Sequence, residues 1–122
     1  MSNAYEPTSV GLSERAAERL RHLKDNGFFR EMMDGYRFAI ALAIGQGVIP
    51  DEIVPPKTTI FNIGSLDPDG ELQAMIKALF ETGDEPVYRC AERLAEWGVN
   101  ELGRRADSGQ IDFAKLLSGS RE

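Results

Sequence analysis

One cysteine and one histidine stand in a chain of 122 residues, and each scarcity removes a class of chemistry. Cys90 has no second thiol to bond, so no internal disulfide forms, in keeping with a reducing compartment. A cysteine nucleophile wants an activating base, and the one histidine lies far off in the chain, so Cys90 reads as a small core residue. His22 has no second soft ligand at a metal-binding spacing; it reads as a surface side chain, and no metal or cofactor is expected. Long apolar runs are missing as well. The longest of note, Phe38-Ala39-Ile40-Ala41-Leu42-Ala43-Ile44, falls far short of the roughly 20 residues that span a bilayer, so it reads as core and no membrane partner is expected. No basic stretch near the start leads into an apolar segment and a small-residue cleavage site, which makes the cytoplasm the expected compartment. Phosphate-binding glycine loops are absent too: Gly45-Gln46-Gly47 follows a helical pattern instead of a strand, and reads as a helix end. Asp67-Pro68-Asp69-Gly70-Glu71 lacks the carboxylates that a calcium loop spaces over about twelve residues. With no motif that assembles a nucleophile, base or metal, the chain is not expected to be an enzyme.

What is present is the composition of a globular protein: 42% hydrophobic and 28% charged residues. The length suits a single domain over residues 1–122 that builds one core without staples. Net charge is −6, but it is unevenly spread. Residues 1–48 hold six Lys or Arg against six Asp or Glu, while residues 49–122 hold eight against fourteen. All the net acidity lies in the later part. Arg15, Arg19, Arg21, Lys24, Arg30 and Arg37 crowd the first, enough for a basic patch where they share a surface.

After a flexible start over residues 1–7, the segment Thr8 to Leu12 is a brief strand candidate. Ser13 then caps a helix over residues 13–25 whose Ala16, Ala17, Leu20 and Leu23 share one face, and Asp25-Asn26-Gly27 ends it. A second helix from about Arg30 carries Met33, Tyr36, Ala39, Ile40, Ala43 and Ile44, with Phe38 and Leu42 on the opposite side. A helix apolar nearly all round is buried, and in so small a protein that takes either the whole remaining chain or a second subunit. A homo-oligomer is therefore expected, with Val10, Leu12, Tyr36, Phe38, Ile40, Leu42 and Ile44 as its candidate interface. Residues 49–66 read as an extended connection containing the best strand candidate, Thr58 to Ile63, which needs a partner from residues 8–12 or from another subunit. Residues 67–118 read as a helical C-terminal part. Asp67-Pro68 opens one helix bearing Leu72, Met75, Ile76, Leu79 and Phe80. A longer one after Pro86 carries Val87, Ala91, Leu94, Ala95, Gly98 and Leu102, and a last short one is expected at about Asp112 to Leu117. The fold class is thus mostly α, a small bundle of four to five helices with one or two short β segments.

The order Val10-Gly11-Leu12-Ser13, a helix ending at Asn26-Gly27 and a long apolar helix around Tyr36 to Ile44 resembles a ribbon-helix-helix module over residues 8–48. With its added helical part, the chain resembles the small E subunit of bacterial DNA-phosphorothioation systems. The resemblance implies an oligomeric, helical accessory protein linked to DNA modification and defence, with a short strand paired to its twin in a dimer. It points to Thr8, Ser9 and Arg30 as places of DNA contact; with Arg15, Arg19, Arg21, Lys24 and Arg37 they make the candidate nucleic-acid surface. The competing expectation is a structural or adaptor protein whose acidic helical surface, around Glu92, Glu96 and Glu101, meets a basic protein partner without nucleic acid.

Overall fold

The computed structural model describes residues 7–109. Most of the start expected to be flexible, residues 1–7, and the whole of the short helix expected at about Asp112 to Leu117 lie outside the described residues. The order is β1 (Ser9–Ser13), α1 (Glu14–Asp25), α2 (Met32–Gln46), β2 (Lys57–Asn62), α3 (Ile63–Leu66), α4 (Glu71–Leu79) and α5 (Val87–Asp107). Among the described residues, five helices and one two-stranded antiparallel sheet make the small, mostly helical architecture the periodicity predicts.

Local chemistry explains most element ends. Ser13 caps α1, its Oγ accepting from the Ala16 N–H at 3.0 Å. At the other end Gly27, at φ 85°, turns the chain so that its own N–H reaches Lys24 O and that of Phe28 reaches Leu23 O. Those two bonds satisfy carbonyls the helix leaves open. Gly47 does the same for α2, whereas Gly45 lies inside that helix. Two starts differ from expectation. Helix α2 begins at Met32 instead of Arg30, because Glu31, at ψ 150°, is extended. Helix α4 begins at Glu71 instead of after Asp67, because a turn intervenes, with the Gly70 N–H on Asp67 O and Gly70 at φ 74°. The end of the supposed extended connection also coils into the short α3.

Asp67 still caps α4, from a distance. Its Oδ1 accepts from the Leu72 N–H and its Oδ2 from the Gln73 N–H, both at 2.9 Å, and Oδ2 also accepts from the Tyr88 hydroxyl at 2.8 Å. Desolvation pushes the Asp67 carboxyl up, but these three hydrogen bonds and the Arg37 charge outweigh it and hold it below its ordinary value. A depressed carboxyl adds stability that is complete above its unfolded-state value, near pH 4, and is lost as pH falls through the folded one. Asp67→Ala is therefore expected to cost about 2 kcal/mol at pH 7, from the lost cap and the stranded hydroxyl, and to flatten the acid limb of the stability curve. Urea titrations of both proteins between pH 3 and pH 7 measure both effects.

Helix α5 is the spine. Cys90, Ala91, Leu94, Ala95 and Val99 are fully buried on it, with α2, α1, β1 and α4 packed around. The backbones of α2 and α5 come unusually close at Gly98, where a Cβ would sit 2.1 Å from Ala39 O. Tyr36, Ala39, Ile40 and Ala43 of α2 are buried there, so the chain itself covers the main face of its most apolar helix.

The second strand finds its partner inside the chain. β1 pairs with β2 in antiparallel register, Ser9 opposite Asn62 and Ser13 opposite Lys57, with an irregularity between Val10 and Gly11. Gly11 is needed there, because a Cβ would lie 2.2 Å from Thr58 O. The remaining β1 groups turn to helices: the Gly11 N–H donates to Glu92 Oε2 at 2.8 Å, the Ser13 N–H to Glu96 Oε1 at 2.9 Å, and Gly11 O accepts from the Tyr36 hydroxyl at 3.1 Å. The twin-strand ribbon implied by the resemblance would require these groups to be vacated first.

Candidate nucleic-acid interface

Helix α1 lies against the C-terminal half of α5, and an open groove of about 650 Å³ runs between them. Arg15 and Arg19, one turn apart on α1, form one wall; Trp97, Asn100, Glu101 and Arg104 of α5, at i, i+3, i+4 and i+7, form the other. An adjoining hollow of about 380 Å³ shares both arginines and adds His22, Leu23 and Phe28. Gly103 gives Arg19 room: a Cβ there would press on the Arg19 stem at 3.1 Å. The Arg19 guanidinium donates to Asn100 O at 3.1 Å, which fixes its place and leaves most of its donors unused.

Charge in the groove is unevenly committed. Arg104 and Arg105 both bind Glu101, each at 2.6 Å. The Arg104 hydrogen bond is the largest influence holding the Glu101 carboxyl below its ordinary value, with Arg105 adding to it. Arg15 pairs with no described residue. Planar guanidinium forks beside a half-buried indole ring suit a ligand that carries phosphate oxygens.

Of the remaining candidates for this surface, none lines the groove. Arg21 is paired with Glu18 at 2.8 Å, and Lys24, Arg30 and Thr8 are exposed elsewhere. Ser9 is half-buried in the sheet opposite Asn62. Arg37 has a structural task, its Nε and Nη2 both donating to Leu66 O, at 3.1 and 2.9 Å, at the end of α3. The candidate interface divides similarly. Val10, Leu12, Tyr36 and Ile40 are sealed in the chain's own core and present nothing to a second copy, while Phe38, Leu42 and Ile44 are only partly covered. Trp97, Asn100 and Arg104 escaped the sequence reading although their helical spacing was visible, because nothing in it says which helix they face.

The acidic stripe of α5 is also spent internally. Glu92 is 3% exposed and takes Gly11 N–H, Lys57 Nζ at 2.8 Å and Arg89 Nη1 at 3.0 Å. Glu96 holds Ser13, and Glu101 holds two arginines. Each of the three already has hydrogen-bond or ion-pair partners within the chain. Nearby, burial and then the charges of Glu92 and Glu96 push the Tyr36 hydroxyl well above its ordinary value. Burial, with the Glu85 carboxylate 3.1 Å away, pushes the Cys90 thiol up to about 11. Both shifts favour the protonated form at neutral pH. Among the described residues no group of three His, Cys, Asp or Glu is placed to hold a metal ion, and no helix is long and apolar enough to cross a membrane. No protein-family model, no curated protein and no solved structure matches the chain.

Proposed function

We propose that this protein is a non-enzymatic, oligomeric accessory protein that binds DNA by its phosphate backbone, with Arg15, Arg19 and Arg104 as the contacts. The observation that carries the reading is Arg15, which pairs with no described residue, beside Arg19 and Arg104 in an open groove that also offers the Trp97 ring. Cys90, Tyr36 and Glu92 are each engaged in holding the core, with Glu85, Gly11 O and the Gly11 N–H, which supports a binding role over a catalytic one. DNA as the polyanion follows from the resemblance of residues 8–48 to ribbon-helix-helix modules, and DNA modification as the setting from the resemblance to the small E subunit of phosphorothioation systems.

Charge sets the strength of such binding. Arg104 shares its charge with Glu101, which leaves Arg15 and Arg19 as the two net phosphate contacts, so one groove releases few counterions and the slope of log affinity against log salt is about −2 per copy. A chain of net charge −6 is repelled by DNA everywhere else, so useful affinity comes from several grooves acting together. Titrating a labelled duplex with the full chain at several salt concentrations, alongside molar mass in solution, tests this. Arg15→Ala with Arg19→Ala is expected to weaken binding at least about tenfold without changing the circular dichroism spectrum. Absence of any binding at about 50 mM salt overturns the reading.

A further inference from the structure

The α1–α5 groove and the hollow that adjoins it share Arg15 and Arg19 but differ in what else they offer. The groove adds Trp97, half-buried and the one tryptophan in the chain. The hollow adds Leu23, Phe28 and Ala106, with Asn26 and His22 as hydrogen-bonding side chains. Gly103 also lines it, and a side chain there would press on the Arg19 stem, so the glycine keeps this space open beside the guanidinium. At about 380 Å³ the hollow lies within the range of small-molecule sites, which begin near 300 Å³.

An intact duplex uses little of this. Its bases are stacked inward and show only their edges, so it meets the arginines with its phosphates and leaves the indole and the hollow unused. Charge alone makes a weak site, because Glu101 already holds Arg104 and the chain as a whole is at −6. An unpaired strand exposes the faces of its bases, and each base stacked on an aromatic ring strengthens binding about tenfold or more with no further positive charge. A bare phosphate would leave the hollow empty, and a purely apolar occupant would leave the two guanidinium forks unused; a nucleotide with its base unpaired meets both demands. The carboxylates nearby agree with this: Glu18 is committed to Arg21 at 2.8 Å, and Asp107, which lines both spaces, can accept from the exocyclic amino group of a base.

We propose that the DNA taken by this surface is single-stranded: a phosphate lies on Arg15 and Arg19, the base on one side of it stacks on Trp97, and the neighbouring base enters the hollow beside Gly103 and Ala106. The inference rests on the reading of the groove as a phosphate-binding surface and adds which form of DNA it selects.

Four ligands test it against the full chain: a mixed-sequence single strand, the duplex of the same sequence, a strand of equal length with abasic sites in place of its central bases, and a mononucleotide. Affinity and the emission of Trp97 are followed together, since a single tryptophan makes the signal specific to the groove. The single strand is expected to bind at least about tenfold tighter than the duplex and the abasic strand, and to quench Trp97 where those two do not. The mononucleotide, with one base to place, is expected to bind at least about tenfold more weakly than the strand. Ala106→Leu narrows the hollow at a half-buried position without touching an arginine; it is expected to weaken the single strand at least about fivefold and leave the duplex unchanged, with the circular dichroism spectrum of the parent. Equal affinity for the single strand, the abasic strand and the duplex overturns the inference and leaves phosphate binding standing. Unchanged Trp97 emission on strand binding, an Ala106→Leu protein that binds the strand as its parent does, or a mononucleotide bound as tightly as the strand does the same. Binding of none of the four at about 50 mM salt overturns both readings.

Discussion

Gly98→Ala is expected to destabilise the protein by about 3 kcal/mol or more, against the usual direction of a glycine-to-alanine change in a helix. The added methyl would stand 2.1 Å from Ala39 O, 2.6 Å from Ala39 C and 2.7 Å from Ala39 Cα. All three are backbone atoms of α2, so no rotamer change relieves the contact; the helices must part. Parting them opens space among Ile40, Ala43, Leu94 and Ala95, which are fully buried, and a close-packed interior does not refill such gaps. Helix propensity works the other way, by about 1 kcal/mol, and is the smaller effect. Gly45→Ala is the matched control: that residue is inside α2 with nothing within 4 Å of a new Cβ, so propensity acts alone and a gain of about 0.5–1 kcal/mol is expected. Urea midpoints of the two variants, at unchanged slope, give the comparison. A Gly98→Ala protein as stable as its parent would show that α2 and α5 do not cross as described.

Glu92→Ala comes next, with an expected loss of about 3 kcal/mol. The loss measures what is left behind more than the net strength of the ion pairs. With the carboxylate gone, the Gly11 N–H points at a dry space inside the fold, and Lys57 and Arg89 lose a common counter-charge. Both cations are more than a third exposed and recover much of their solvation from water, so the orphaned amide dominates. Two further outcomes follow from that division. Glu92→Leu, which fills the volume, should recover little, because it offers the amide no acceptor. Lys57→Met in the parent should cost only about 1 kcal/mol, because Arg89 and the Gly11 N–H still hold the buried Glu92 carboxylate. Faster exchange of the Gly11 amide in Glu92→Ala would locate the damage at the strand edge. A Glu92→Leu variant that matches the parent would refute this account.

Much of the fold was legible in short windows. Ser13 before the Ala16–Leu20–Leu23 face, Gly27 and Gly47 at helix ends, and the β-branched run Thr58-Thr59-Ile60 each act through neighbours within a turn or two, and each produced its element. Misplaced starts have local causes of a finer kind: Gly70 takes a left-handed turn that lets Asp67 cap α4 across an intervening loop. Charge was read least well. Arg37 and Arg19 look alike in sequence, yet one is bound to the end of α3 and the other lies along a groove, according to the carbonyl each meets. The apolar face expected of α4 is not wholly buried: Leu79 lies exposed beside Ile49, thirty positions away in the chain, where the ends of α2 and α4 meet.

The sequence alone determined where α1, α2, α4, α5 and the two strands lie to within a few residues, together with the Ser13 cap and the glycine ends of α1 and α2, because those depend on φ/ψ preference and on contacts between near neighbours; it did not show the short α3. Tertiary structure alone decided which strand β1 pairs with, that α5 closes its other side with Glu92 and Glu96, and that Arg15 and Arg19 stand beside Trp97. The Gly11–Glu92 and Arg19–Asn100 bonds each join residues 81 positions apart. No local preference encodes a contact at that separation; it is chosen by how the buried faces of α1, α2 and α5 fit together, and that fit turns on the few ångströms that Gly98 leaves open.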